Sequence, residues 1–162
     1  MNALRGLLIG ALVCAAALSR AADPVEVHGA SDLFDARGVA IAWGVLRGAS
    51  EETTLVVVRV AADAGKFSHI AVEGVDPFTR QRHTLLAGQP LAGTIDVRIP
   101  RTRFADLPRS EIRLYGSPEA LQRGAPSLMI YYLSIPDTTP EFATEAALGA
   151  YLDGRIAKAK LR

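Results

Sequence analysis

The stretch Val39–Leu46 (VAIAWGVL) decides the fold class of this chain. Its odd-numbered positions carry large or branched side chains, including Trp43, and its even-numbered positions carry mostly small ones. This period of two predicts a strand, because successive side chains of a strand point to opposite sides of the sheet. The next apolar run, Thr54–Ala62, is rich in β-branched residues, and the polar residues 48–53 between the two runs are typical of a hairpin loop.

Similar short runs continue along the chain, and prolines stand between most of them. The runs are Phe67–Val75, Arg80–Leu86, Thr94–Ile99, Glu111–Tyr115 and Leu128–Ile135, and Val25 with Val27 indicates one more short strand at the start. Proline lacks the amide hydrogen that a central strand needs, so it typically separates strands. No long helical stretch divides the runs, which disfavours a parallel sheet. The sequence therefore predicts a mainly β protein, an antiparallel β-sandwich of about seven or eight strands with an immunoglobulin-like architecture; a closed barrel is the alternative.

The chain ends in a predicted helix, residues 139–160. Thr138 supplies a capping hydroxyl, a proline follows near the first helical positions, and Glu141 completes a capping box with Thr138. From Phe142 onward, apolar residues recur at multiples of three and four, and cations gather near the C-terminal end. We expect this helix to pack across the sandwich or one open end of it, while docking to a partner is the alternative.

The first residues are typical of a secretory signal peptide. Arg5 precedes the apolar run Gly6–Leu18, and a small-x-small cleavage site ends at Ala21. We therefore predict a cleaved signal peptide over residues 1–21 and a single domain over residues 22–162, in a bacterial protein that is periplasmic or secreted. A retained membrane anchor is the alternative, although the apolar run is short for a membrane span.

Composition excludes several classes of protein. The chain is 49% hydrophobic with a net charge of +1, which excludes a disordered chain and gives no general attraction to nucleic acid. Cys14 is the only cysteine and lies inside the predicted signal peptide. The exported chain would therefore have no disulfide, thiolate zinc site, iron–sulfur cluster or cysteine nucleophile. A bacterial lipoprotein places a small residue before its cysteine, whereas Val13 precedes Cys14 here.

The middle of the chain, residues 76–113, carries an excess of arginine over acid. Its arginines are Arg80, Arg82, Arg98, Arg101, Arg103, Arg109 and Arg113. The sequence favours an ordinary solvated surface. An arginine-lined face for an anionic partner is the alternative, since guanidinium groups bind carboxylates and phosphates in a bidentate manner.

The histidines give no local metal-binding motif. His28, His69 and His83 are widely spaced, and a mononuclear metal site needs three or four converging ligands. If residue 75 pairs with residue 80, His69 and His83 lie on opposite faces of their hairpin, and a shift of one residue would let them cluster with Glu73. We expect histidines that face solvent. We also expect Ser68 and His69 to point to opposite faces of one strand, which excludes a nucleophile–base pair.

No residue is therefore assigned a catalytic, cofactor-binding or metal-binding role, and no cofactor is expected. The leading hypothesis is a non-catalytic accessory or protein-interaction module of the periplasm, whose partner is another exported or envelope protein. Tyr131 and its neighbour Tyr132 must face opposite sides of a strand, so one of them is expected to be partly exposed and suited to contact. We expect no nucleic-acid partner and no transmembrane span in the mature chain, and the oligomeric state stays open.

Two other functions are retained as alternatives. The first is a carrier of a small apolar ligand, whose cavity would be lined by Trp43, Val57 and Met129. The second is an enzyme or metal protein that uses His69 or His83.

Overall fold

The computed structural model describes residues 25–29, 33–76, 78–102, 109–132 and 139–159. In chain order the strands are β1 (Val25–Gly29), β2 (Leu33–Ala36), β3 (Val39–Leu46), β4 (Leu55–Ala62), β5 (His69–Val75), β6 (Arg82–Pro90), β7 (Thr94–Pro100), β8 (Arg109–Tyr115), β9 (Leu128–Tyr132) and β10 (Glu141–Phe142). The α-helices are α1 (Pro118–Gln122) and α2 (Glu145–Lys158), and a 3-10 turn occupies Glu51–Thr53.

These strands form two sheets that face each other. The first sheet has the order β1-β9-β8-β5-β6, and the second has the order β10-β3-β4-β7 with β2 also paired to β3. Two of the pairings, β1 with β9 and β10 with β3, are parallel, and the others are antiparallel. The predicted mainly β sandwich with a C-terminal helix is confirmed, and the described strands do not close into a barrel.

The core lies between the sheets and follows the alternation read from the sequence. Ile41 and Trp43 on β3 belong to one buried cluster with Ile112 on β8 and Ile130 on β9. Complete burial of a side chain of this size stabilises the fold by about 1.5–3 kcal/mol. The large face of β3 is therefore the face that holds the two sheets together.

The small face of β3 accommodates the helix. Leu148 and Leu152 of α2 are buried in a second cluster with Ala42 and Val57 on the outer side of the second sheet. A Cβ atom at Gly44 would lie 2.6 Å from Cδ1 of Leu148, so a larger residue there would force the buried Leu148 side chain to move. The helix packs within its own domain, as expected, and adds a third layer to the sandwich.

This helix begins later than residue 139, where the sequence predicts its start. Its N-cap is Thr144, whose side chain accepts a hydrogen bond from the amide of Ala147 at 3.2 Å. Phe142 belongs instead to β10, where its carbonyl accepts a hydrogen bond from the amide of Arg47 at 2.8 Å. The edge of β3 offers these backbone groups a partner, and the extended pairing prevails over the local helix signal. The predicted cap at Thr138 lies outside the described residues.

Two short strands, β2 and β10, share one edge of β3 and are absent from the sequence prediction. β2 pairs with the first half of β3, and β10 pairs with its end. The turn between β2 and β3 consists of Arg37 and Gly38, with φ angles of 57° and 81°. Both residues have a left-handed backbone conformation, as two-residue hairpin turns commonly require. With these two strands the described part of the chain has ten.

The predicted signal peptide, residues 1–21, lies outside the described residues, as does residue 160 of the predicted helix. Within the described ranges, no helix has the length and apolar character needed to cross a membrane.

Candidate functional site

The pairing of β5 with β6 decides where the histidines lie. Val75 pairs with Arg82 rather than with residue 80, and His83 is therefore opposite Gly74. Because the side chains of β5 alternate, His83 lies on the core-facing side of the sheet and His69 on the outer side. The proposed cluster of His69, His83 and Glu73 does not form, and the described residues contain no group of three potential metal ligands.

The expectation for Ser68 and His69 is wrong. The Oγ atom of Ser68 lies 2.9 Å from Nδ1 of His69. Strand β5 begins at His69, so Ser68 precedes it and the alternation rule does not apply. The acid near this pair, Glu119, accepts hydrogen bonds from its own amide and from Ser117, which lower its pKa. That carboxylate is engaged at the start of α1, so it does not orient the histidine as the third member of a catalytic triad would.

The middle arginines do not form one face. Arg98 donates to Glu145 of α2 at 2.5 and 2.9 Å, and Arg101 donates to Glu141 of β10 at 2.8 Å. Both arginines therefore attach the second sheet to the C-terminal segment. The side chains of Arg103 and Arg109 lie outside the described residues.

A third arginine, Arg59 of β4, holds α2 against the sheet. Its guanidinium donates to both carboxylate oxygens of Asp96 at 2.7 and 2.8 Å, to Asp153 at 2.6 Å and to the carbonyl of Gly149 at 3.2 Å. The side chain is only 13% exposed. Its hydrogen bonds to Asp96 are the main cause of its raised pKa. We call Arg59, Asp96 and Asp153 the helix clamp.

The outer face of the first sheet carries a second charged cluster. Glu73 and Glu111 are direct cross-strand neighbours, an arrangement that repels. Nη1 of Arg82 lies 2.9 Å from Glu73 and 2.5 Å from Glu111, and Nη2 of Arg113 lies 2.9 Å from both carboxylates. Hydrogen bonds to the two glutamates raise the pKa of Arg82. We call these four residues the carboxylate–guanidinium ring, and it links β5, β6 and β8.

Beside the ring, the turn between β5 and β6 is held by hydrogen bonds to Asp76. Its carboxylate accepts from the amides of Phe78 at 2.7 Å and Thr79 at 3.0 Å. Its carbonyl accepts from the amide of Arg80 at 3.0 Å, and its own amide donates to the carbonyl of Gln81 at 2.9 Å. Hydrogen bonds from Thr79 and Phe78 lower the pKa of Asp76, so the carboxylate stays charged and keeps the turn in place.

This turn holds an aromatic side chain in water. Phe78 is 92% exposed, and among the side chains whose burial the structure describes it is the one large apolar group that stands so far out. An exposed apolar group of this size is unfavourable in an isolated protein, since its burial would release about 1.5–3 kcal/mol. The hydrogen bonds to Asp76 hold the backbone of the turn in the conformation that exposes this side chain.

The same turn contributes Arg80, two residues after Phe78, to a concavity of about 560 Å³ that is lined by Val75, Arg80, Arg82, Glu111 and Tyr131. Arg80 has a φ angle of 62°, a left-handed conformation that is strained for a residue other than glycine. Its side chain makes no ion pair with any residue that the structure describes, in contrast to the four other middle arginines with described side chains. We call Phe78 and the concavity together the tip site.

Sequence reasoning found one part of the tip site and missed the rest. Tyr131 is half-buried on the outer face, consistent with the expectation that one of the adjacent tyrosines is partly exposed. Phe78 was detectable, because it follows the Asp76–Pro77 turn signal and an aromatic residue at a turn tip has little to pack against. The ring was not detectable, since Glu111 reaches Glu73 only through the pairing of β5 with β8.

The cavity expected for an apolar carrier is not formed by the predicted residues. Trp43 lies in the core between the sheets, whereas Val57 faces α2 on the other side of the second sheet. Met129 lies opposite Arg113 on the outer face of the first sheet. These side chains lie in three separate parts of the molecule, on either side of the sheets, so they cannot line one cavity.

The chain was also compared with protein-family models, curated proteins and solved structures, and none of the three comparisons found a match.

Proposed function

We propose that this protein is an exported, non-catalytic module that binds another protein of the periplasm or cell envelope through the tip site. The observation that carries the proposal is Phe78, 92% exposed on a hydrogen-bonded turn that also carries Arg80, whose side chain makes no ion pair with any described residue. Aromatic and arginine side chains are the residues that contribute most to the free energy of protein–protein binding. A rigid turn lowers the entropic cost of such binding, because its contact residues are already ordered.

A protein partner accounts for the tip site better than a membrane surface does. Each arginine beside an anionic membrane contributes about 1 kcal/mol, and insertion of one large apolar side chain adds about 1.5–3 kcal/mol. Arg80, Arg82 and Phe78 together would bind a membrane only weakly, since even one fatty-acid chain gives marginal attachment. A protein surface that encloses Phe78 and pairs with Arg80 removes both groups from water and gains specificity as well.

The two alternatives have less support. An apolar carrier needs one cavity, whereas Trp43 lies between the two sheets and Val57 and Met129 lie on the outer sides of different sheets. The second alternative is an enzyme or metal protein that uses His69 or His83, and a site shared by both rings is disfavoured because they lie on opposite faces of the first sheet.

The contact surface is tested by a photo-crosslinking residue at position 78 of the full chain, in cells that export the protein. We expect one covalent adduct of defined mass, formed in the envelope or periplasmic fraction. The matched control places the same residue at Ala150, which is also exposed but lies on α2. Equal adducts from both positions, or no adduct from position 78, would contradict the proposal.

Export is tested separately by the mass of the protein recovered from fractionated cells. We expect a chain that begins at Ala22 in the periplasm or the medium. A chain that keeps residues 1–21 and stays in the cytoplasm would refute the localisation, and one that keeps them in the membrane fraction would show a retained anchor.

A further inference from the structure

The tip site contains hydrogen-bond donors that the protein itself does not use. Arg82 is 49% exposed, and both of its described hydrogen bonds leave from Nη1. A guanidinium has five N–H donors in a planar fork, and no described hydrogen bond uses Nε or Nη2 of Arg82. Arg80 lines the same concavity, and guanidinium forks of this kind bind planar oxyanions in a bidentate manner.

The charges at the site indicate which oxyanion fits. Of the residues that line the concavity, Arg80 and Arg82 are positive and Glu111 is negative, whereas the carboxylate of Asp76 in the adjoining turn is engaged by the amides of Phe78 and Thr79. One positive charge is therefore left over, and a single carboxylate neutralises it. A phosphate dianion would leave an excess negative charge next to Glu111, which lines the concavity and is only 6% exposed.

We infer that the concavity binds one carboxylate of a partner polypeptide, with an apolar side chain of the same segment against Phe78. This inference rests on the proposed function and names the chemistry that the partner must present. Phe78 is two residues from Arg80 in the same turn, so one short segment contacts both. The carboxylate comes from an aspartate or glutamate side chain or from a C-terminus, and an experiment with both kinds of peptide distinguishes them.

The test is an NMR titration of the isotope-labelled protein, purified from the cells that export it. The probes are acetyl-Leu-Glu-Leu-amide, its glutamine analogue, acetyl-Leu-Leu with a free carboxylate, and inorganic phosphate. We expect saturable shifts of the amides of residues 78–82 with at least one carboxylate peptide, and binding at least tenfold weaker for the glutamine analogue. The peptide that binds more tightly identifies the source of the carboxylate.

Two variants make the titration specific. Arg80→Asn removes the guanidinium but suits the left-handed backbone, because asparagine tolerates this conformation better than most residues. We expect at least tenfold weaker peptide binding in this variant and unchanged binding in Arg123→Asn, which removes an exposed arginine elsewhere.

Equal binding of the glutamine analogue, phosphate binding as tight as that of the carboxylate peptides, or unchanged binding in Arg80→Asn would overturn the inference. The proposed function has its own test, since cross-linking through position 78 does not depend on a carboxylate. If position 78 formed an adduct but no peptide shifted the amides of residues 78–82, the inference of a bound carboxylate would be refuted and the protein-binding role would stand.

Discussion

The helix clamp and the tip site both place arginine beside carboxylates, yet their arginines have opposite environments. Arg59 is largely buried and donates to two aspartates and a backbone carbonyl. Arg80 lines an open concavity and has a strained backbone, and its side chain makes no ion pair with any described residue. An arginine with all its partners inside the fold stabilises the fold, whereas one without partners is available to a ligand. The same residue type thus has a structural role on the second sheet and a proposed binding role on the first.

The largest expected effect on stability comes from comparing a buried apolar side chain of α2 with the exposed one of the tip site. Leu152 of α2 is fully buried against the second sheet, and Leu152→Ala should lower the free energy of unfolding by about 2–4 kcal/mol through lost burial and a cavity. Phe78→Ala should change the same quantity by less than about 0.5 kcal/mol, because the side chain stands in water. Urea denaturation measures both variants. Similar losses would show that Phe78 is part of the fold.

The next effect concerns the helix clamp itself. Arg59→Met should lower the free energy of unfolding by about 1–2 kcal/mol, because it leaves the partly buried Asp96 without its partner. Asp153→Asn serves as the comparison and should change stability little, since Asp153 is 78% exposed and solvent weakens its pair with Arg59. If the denaturation curves of the two variants coincided, the pairing of Arg59 with Asp96 would not contribute to the stability of the fold.

A smaller effect of opposite sign is expected within α2. A Cβ atom at Gly149 would meet no other atom, so Gly149→Ala should raise the free energy of unfolding by about 0.5–1 kcal/mol. Thermal unfolding would detect the rise. The same change at Gly44 should destabilise the protein, because Leu148 occupies that space. If both substitutions acted alike, the packing of α2 on the small face of β3 would be in doubt.

The smallest expected effect is local and concerns the turn of the tip site. The folded pKa of Asp76 lies below its unfolded value, so the contribution of the carboxylate is present above the unfolded pKa and is lost as pH falls through the folded pKa. The amide signals of Phe78 and Thr79 should therefore stay constant at neutral pH and shift only below about pH 4. Asp76→Asn keeps an acceptor oxygen and should preserve the turn, whereas Asp76→Ala should speed hydrogen exchange at both amides.

The parts of this molecule that sequence could predict are those set by local pattern. The bounds of β3, Val39–Leu46, follow from alternation alone, because one face meets the core and the other meets the helix. β2 and β10 are held by backbone hydrogen bonds to the edge of β3, which leave little mark on side-chain pattern. The tip site depends on the pairing of Val75 with Arg82 rather than with residue 80, and side-chain alternation does not give the length of the turn that sets this pairing.

The most direct measurement of the central claim is the yield of the cross-linked adduct from position 78 in the wild-type and Arg80→Asn backgrounds. Both proteins should unfold with the same free energy to within about 0.5 kcal/mol, because the side chain of Arg80 makes no ion pair with a described residue and the backbone hydrogen bond of residue 80 is kept. We expect the adduct to fall at least fivefold in Arg80→Asn. An unchanged yield from an equally stable variant would contradict the role of Arg80 in binding at the tip site.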